Sequence, residues 1–174
     1  MTEHGAAVVG AGFIGPIHIE GLRRAGIRIL GILGSTPEKS RLVADRFGIP
    51  RAYTDYTELL RDPDVTAVHI ATPNRLHFEQ ASAALKAGKH VLCEKPLAMT
   101  SAETAELLRL AHNSGRAAGV CYNIRFNRCA WRWPSERDKA RSARSGISPE
   151  ATPRIGCTTQ RTSTGGCRLP RVGH

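Results

Sequence analysis

The sequence has few aromatic residues, few cysteines and no long hydrophobic run. Aromatic residues make up 5% of the 174 residues, and the five cysteines have no repeated spacing. An odd number of unpatterned cysteines argues against a disulfide framework and predicts a reducing, cytoplasmic environment. No apolar run is long enough for a membrane-spanning helix, so we expect no membrane partner. No metal site is expected either.

Acidic residues are also scarce, and the excess of positive charge is concentrated in the last 47 residues. Residues 1–127 contain 15 Lys and Arg against 12 Asp and Glu, whereas residues 128–174 contain 10 against 3. The last part has only four Ile, Leu, Val and Phe residues, too few to form a core. We therefore expect a folded domain over 1–127 and a disordered basic tail over 128–174. The arginines of this tail follow no pattern, so we expect no specific nucleic-acid binding. A remote alternative is that the tail binds nucleic-acid phosphates non-specifically.

A glycine-rich turn separates a short apolar segment from a helix-like segment near the start of the chain. The turn is formed by Gly10, Gly12, Phe13, Ile14 and Gly15, with the glycines in GxGxxG spacing. In a dinucleotide site the first glycine allows a sharp turn, and the second lets a pyrophosphate approach the backbone. The third lets the helix pack close to the strand. We predict a phosphate-binding role; the alternative is a glycine turn in another kind of α/β protein.

Six strand-like segments alternate with helix-like segments up to residue 122. Helix starts are indicated by Ser35 or Thr36, by Asp55 and by a Thr100–Glu103 capping box. This alternation predicts an α/β fold with a doubly wound parallel Rossmann sheet covered on both faces. Ligands bind such sheets at the carboxyl ends of the strands.

Polar residues follow several of these predicted strands. Lys95 follows the fifth strand, where it could contact a ribose or a substrate hydroxyl and help to move a proton. Lys95 could also be only a solvated loop cation. Likewise, His77 could be a helix-surface histidine, and His18 a packing residue on the first helix.

The motifs GAGFIGxxH, ATPNxxH and xEKPLAMT, in this order, resemble those of the Gfo/Idh/MocA family, which includes glucose–fructose oxidoreductase and inositol dehydrogenase. The resemblance covers residues 6–127. It implies an NAD(P)-dependent oxidoreductase that transfers a hydride between nicotinamide and a CH–OH group of a sugar, inositol or related polyol. It also implies that Lys95 is catalytic, beside the nicotinamide and the substrate, and that the peptide bond before Pro96 is often cis. Further cofactor contacts are expected in these motifs at Thr72, Pro73, Asn74, His77 and Glu94, and Arg125 matches a family arginine.

The residues after the second predicted strand affect the choice between NAD and NADP. An acid there would accept a hydrogen bond from the ribose 2′-OH of NAD. Ser35 and Thr36 stand there instead, with Lys39 and Arg41 on the following helix. Hydroxyls and cations suit a 2′-phosphate and favour NADP, with Ser35, Thr36 and Arg41 as its contacts. The alternative is that Ser35 or Thr36 only caps the helix.

The residues after Asn127 depart from the family pattern. The resemblance implies a second, α+β domain with the substrate pocket, a catalytic Asp and His, and the oligomer contact. If a new codon starts at the third base of the Asn127 codon, the next residues can read as the family continuation. Residues 150–167 can then read as the opening of the second domain. We therefore expect residues 128–174 to be out of frame, through a pseudogene or a sequencing error. The chain itself would then be inactive, and a nucleotide-binding module without catalysis is the alternative function.

Overall fold

A computed structural model describes residues 5–123, and the structural statements below refer to these residues. In this range six strands alternate with five α-helices. The strands are β1 (Gly5–Val9), β2 (Arg28–Leu33), β3 (Arg51–Ala52), β4 (Val65–Ile70), β5 (His90–Glu94) and β6 (Ala118–Cys121). The helices are α1 (Gly15–Arg24), α2 (Pro37–Phe47), α3 (Tyr56–Arg61), α4 (His77–Lys86) and α5 (Ser101–Ser114).

The six strands form one parallel sheet in the order β3-β2-β1-β4-β5-β6. The chain builds outward from β1 in one direction to β3, and then returns to the other side of β1 for β4. This order confirms the predicted doubly wound parallel sheet. It creates a reversal point between β1 and β4, and ligands bind outside the carboxyl ends of the strands at such a point.

Alternating strand residues pack into two separate hydrophobic clusters, one on each face of the sheet. Ala6 and Val8 of β1 pack with residues of α1 and α2, whereas Ala7 and Val9 pack with residues of α3, α4 and α5. Each β1 residue of this set is at most 1% exposed. Because successive side chains on a strand point to opposite faces, a strand buried on both faces is apolar at every position. That is why residues 6–9 read as a continuous apolar run.

Three helices start where the sequence predicts, because their caps are local. The side chain of Thr36 accepts a hydrogen bond from the Lys39 amide, and Asp55 accepts one from the Glu58 amide. Thr100 forms the predicted capping box at the start of α5. Thr36 is therefore the cap of α2, as the alternative interpretation of that residue expects.

The helix expected from Asn74 differs in its first turn. Residues Asn74–Leu76 form a 3₁₀ turn, closed by a 2.9 Å hydrogen bond from the Leu76 amide to the Pro73 carbonyl, and α4 begins only at His77. Pro73 has extended backbone angles and no side-chain cap follows it. The chain therefore enters the helix through a tight backbone turn.

Several predictions concern residues that lie outside the described range. They are the disordered tail over 128–174, its shifted reading frame, the domain boundary at residue 127 and the role of Arg125. These remain predictions. Within residues 5–123, no helix is both long enough and apolar enough to cross a membrane.

Candidate nucleotide site

The glycine turn after β1 is packed so tightly that two of its glycines have no room for a side chain. Gly10 has a φ of 115°, and a Cβ there would lie 2.3 Å from the Ala71 carbonyl oxygen. A Cβ on Gly15 would lie 2.1 Å from the Gly10 carbonyl oxygen. A side chain on Gly10 would clash with the loop after β4. A side chain on Gly15 would clash with the turn itself, because α1 starts so close to it. Both agree with the roles that the motif predicts for these glycines.

Gly12 differs, because a Cβ added there would meet nothing within 4 Å. Internal packing therefore does not explain this glycine. Gly12 is exposed, as is Phe13, whose residue surface is 85% accessible, while Ile14 is half-buried. The first turn of α1 contains no acidic residue and its N-cap residue makes no side-chain cap. Open space at the N-terminus of α1, where the helix dipole is positive, fits a pyrophosphate.

The loop after β2 lies against the glycine turn. A Cβ on Gly34 would approach the Ala11 Cβ to 3.2 Å and the Ser40 amide nitrogen to 2.9 Å, and the Gly34 amide donates to Ser40 Oγ at 2.7 Å. Ser35 follows directly and is exposed, as are Thr36 and Arg41. Ser35 therefore lies near the glycine turn, where a ribose attached to the pyrophosphate would reach, and Arg41 follows on α2.

The loop after β4 is held in place by hydrogen bonds. The Ala71 amide donates to the Val9 carbonyl at 2.7 Å, and the Thr72 hydroxyl donates to Gln80 Oε1 at 2.6 Å. Pro73 and Asn74 are exposed at the same edge of the sheet as the glycine turn. The structure thus brings these three predicted site residues beside the turn.

His77 is fully buried, contrary to the helix-surface interpretation. Its Nε2 lies 2.8 Å from the Thr72 carbonyl oxygen and its Nδ1 lies 2.7 Å from the Pro96 carbonyl oxygen. The imidazole therefore joins the loop after β4 to the loop after β5. With no exposed surface, His77 is better placed to position these two loops than to contact a cofactor directly.

Lys95 directly follows β5 and is exposed at the carboxyl edge of the sheet. The Lys95–Pro96 peptide bond is cis, which agrees with the family resemblance. The Lys95 amide donates to Glu94 Oε2 at 3.2 Å. The exposed ammonium lies on the same edge as the glycine turn.

Glu94 is part of a half-buried polar cluster beneath this edge. Its Oε1 lies 3.2 Å from His18 Nε2, and His18 Nδ1 lies 3.1 Å from His69 Nδ1. Burial alone would raise the pKa of Glu94, but hydrogen bonds from Cys121, the Lys95 amide and His18 outweigh it and lower that pKa. Burial, and then the neighbouring Glu94, raise the pKa of the Cys121 thiol to about 11. Burial, and then the proximity of His18, lower the pKa of His69 to about 4.

Sequence reasoning missed His69 and Cys121, and it interpreted His18 only as a packing residue. The register of the sheet explains why they meet: His69 pairs with Leu92, and Glu94 pairs with Cys121. Since Leu92 and Glu94 are two residues apart, all these side chains lie on one face. The available signal was a polar residue at the carboxyl end of each of three neighbouring predicted strands.

Comparison with known families gives one match that covers most of the described residues. The model of the Gfo/Idh/MocA oxidoreductase family, described as an NAD-binding Rossmann fold, matches residues 5–122. This range begins and ends with the six-stranded sheet.

Individual relatives agree with this match. The chain is 40% identical over 107 residues to 1,5-anhydro-D-fructose reductase from Ensifer adhaerens, covering 62% of this chain and 32% of the relative. It resembles a structure of levoglucosan dehydrogenase with NADH and levoglucosan (TM-score 0.65, 33% identity, 70% of this chain and 35% of that one). It also resembles biliverdin reductase from Synechocystis with biliverdin and NADP+ (TM-score 0.64, 35% identity, 68% of this chain and 38% of that one). The chain thus spans about a third of the length of the curated relatives that it matches.

Proposed function

Because the chain belongs to the Gfo/Idh/MocA family of oxidoreductases, we propose that it supplies the nucleotide-binding part of an NAD(P)-dependent oxidoreductase. The proposed substrate is a sugar, inositol or related polyol that is oxidised at a CH–OH group. One observation carries the proposal. The glycine turn, the loop after β4 and the loop with Lys95 all follow strands at one edge of the parallel sheet, beside its reversal point.

The glycine turn would hold the pyrophosphate of the dinucleotide. Gly10 and Gly15 shape the turn through close backbone packing, while Gly12 leaves space for the phosphate oxygens. Helix α1 starts at Gly15, so the positive end of its dipole lies at this turn and favours a phosphate there. Thr72, Pro73, Asn74 and Glu94 would line the path of the cofactor towards Lys95.

Lys95 is the proposed catalytic residue. A bound nicotinamide supplies the hydride chemistry, and Lys95 would act on the substrate hydroxyl. In its neutral amine form the Lys95 nitrogen can accept the hydroxyl proton as the carbonyl forms, and as the resulting ammonium it can return that proton in the reverse reduction. The exposed position of Lys95 at the carboxyl edge leaves it free to meet a substrate.

For the choice of cofactor, the loop after β2 supports NADP. No acid lies among residues 34–37, directly after β2, to accept from a ribose 2′-OH; Ser35 is exposed beside the glycine turn, and Arg41 is exposed on α2. Thr36 already accepts the Lys39 amide, and its hydroxyl donates to the Glu38 carboxylate, so a 2′-phosphate would have to displace that carboxylate to bind Thr36. Arg41→Ala should weaken NADPH binding by about tenfold and leave NADH binding unchanged. Lys86→Ala, which removes one charge at the end of α4, is the control, and equal effects of Arg41→Ala on both cofactors would contradict the NADP preference.

Calorimetric titration of the full chain with NADPH and NADH tests the proposal. Gly12→Val should abolish binding, because the new side chain would occupy the open space of the turn, yet it should leave thermal stability nearly unchanged. Gly21→Val is the matched control, since a Cβ on Gly21 also meets nothing within 4 Å. Absence of binding in the unmodified chain, or unchanged binding in Gly12→Val, would overturn the proposal.

A further inference from the structure

His18 lies between the glycine turn and the strand that leads to Lys95, which have separate roles in the proposed function. It belongs to α1, which starts at the glycine turn, and it is only 7% exposed. Its two ring nitrogens contact β5 through Glu94 and β4 through His69. Glu94 in turn accepts the Lys95 amide. A continuous chain of hydrogen bonds therefore runs from His69 through His18 and Glu94 to the backbone of Lys95.

The chemistry of these groups sets the direction of each hydrogen bond. An ionised carboxylate only accepts, so His18 Nε2 must carry the hydrogen that faces Glu94. We take His18 to be neutral, with one donor and one acceptor nitrogen, so His18 Nδ1 then accepts. The facing Nδ1 of His69 must therefore carry a hydrogen and donate. The lowered pKa of His69 agrees with a neutral ring in this role.

We propose that His18 is a positioning residue, which holds the Glu94 carboxylate and through it the Lys95 backbone at a fixed place relative to the glycine turn. His69 fixes the tautomer of His18 that can donate to Glu94. The effect of these hydrogen bonds on cofactor affinity rests on the proposed function. The tautomers of His18 and His69 do not depend on that function. Among residues 5–123, the other ionisable groups that interact with this cluster include the Cys121 and Cys93 thiols, both beside Glu94, and the Lys95 ammonium.

The same residues also have the composition of a cation site, which makes a competing prediction. One ligand atom each from His18, Glu94 and Cys121 lies within 4.8 Å of the others. The hydrogen bonds favour the positioning role, because each of these side chains already has a partner within the cluster. A metal ion would have to displace the hydrogen on His18 Nε2 and deprotonate a thiol whose pKa is raised to about 11.

Nitrogen-15 NMR of the full chain labelled at its seven histidines tests the hydrogen-bond directions without any cofactor. At pH 7.5 we expect His18 protonated at Nε2 and His69 protonated at Nδ1. A His69 ring protonated at Nε2 would contradict the proposed series of hydrogen bonds. Addition of one equivalent of ZnCl₂ should leave both patterns unchanged, and loss of the His18 Nε2 hydrogen on adding zinc would show a cation site instead.

Two substitutions of His18 separate its two hydrogen bonds. In His18→Gln the amide nitrogen can replace Nε2 and keep the bond to Glu94, but the acceptor for His69 is lost. In His18→Asn the amide oxygen can replace Nδ1 and keep the bond to His69, but Glu94 loses its donor. A merely structural role of His18 would make both variants similarly defective.

We expect His18→Asn to weaken NADPH binding by about tenfold, the usual range for one lost hydrogen bond to a charged group. His18→Gln should bind within about twofold of the unmodified chain, while its His69 moves to the Nε2-protonated form. Equal losses in both variants, or a greater loss in His18→Gln, would overturn the positioning role. If the unmodified chain binds neither NADPH nor NADH, the proposed function fails, and the tautomers still support or overturn the hydrogen-bond chain.

Discussion

At the scale of single residues, Gly10 and Gly12 are two positions apart but are glycines for different physical reasons. Gly10 combines a φ of 115° with a would-be Cβ contact of 2.3 Å to the Ala71 carbonyl oxygen, so folding itself requires it. Gly12 has open space before it and is required only if a ligand occupies that space. The spacing of the motif predicts both roles. The atoms that Gly10 meets were not predictable, because Ala71 follows a strand 60 residues away in the chain.

This difference predicts opposite effects of the same substitution. Gly10→Ala should lower the free energy of unfolding by about 3 kcal/mol, through backbone strain and overpacking. Gly12→Ala should change it by less than about 0.5 kcal/mol, as expected at an exposed site. Urea unfolding followed by circular dichroism measures both values. Similar values for the two variants would show that the turn is not packed as described.

At the scale of helices and strands, the sequence predicted the helix caps, which are local. It did not predict the contacts between elements that are distant in the chain. Thr36, Asp55 and Thr100 cap helices as predicted, because each cap bonds to an amide three residues along the chain. The cluster of His18 and Glu94 joins residues 76 apart, so no local pattern contains it. Asp62, which ends α3, likewise meets side chains of the β3 segment, since the Tyr53 hydroxyl donates to it at 2.6 Å and Arg51 also binds it.

Asp62 should make the stability of the domain depend on pH. Burial alone would raise its pKa, but hydrogen bonds from Tyr53, Arg51 and the Asp64 amide outweigh burial and lower that pKa. A lowered folded-state pKa stabilises the fold above the unfolded value of about 3.9, and this stabilisation is lost as the pH falls through the folded value. Asp62→Asn should therefore cost about 1 kcal/mol at pH 7.

The cost should shrink as the pH falls below about 4, because Asp62 then becomes protonated in the original protein as well. Thermal unfolding at a series of pH values measures this difference. Asp45→Asn, at an exposed position in α2, is the control and should show no comparable loss. A cost of Asp62→Asn that stays constant down to pH 2 would contradict the role of the carboxylate.

At the scale of the whole molecule, alternation of strands and helices predicted the fold class, and the order of the strands needed the structure. The reversal between β1 and β4 brings together segments that are far apart in sequence, and it forms the edge where all the motifs meet. Motif resemblance predicted most members of this edge. It could not place the ring of His77 in the interior, because the loop after β5 that buries it is positioned by the tertiary fold.

Residues 128–174 carry a separate prediction, which depends on their composition and on the genetic code. Sequencing of the coding DNA across codons 127 and 128 should reveal one missing base. The restored frame should continue with proline after Asn127 and remain open into a second domain. A confirmed sequence without a missing base, followed by no family-like open frame, would contradict this prediction.

The central claim is that the carboxyl edge of the sheet binds a dinucleotide. Amide NMR spectra of the full chain, recorded as NADPH is added, test it most directly. We expect the largest shifts at Gly10–Gly15, Ser35 and Thr36, Thr72 and Asn74, and Glu94 and Lys95, with none at Lys86 on the opposite edge. No shifts at all, or shifts confined to residues away from the carboxyl edge, would contradict the claim.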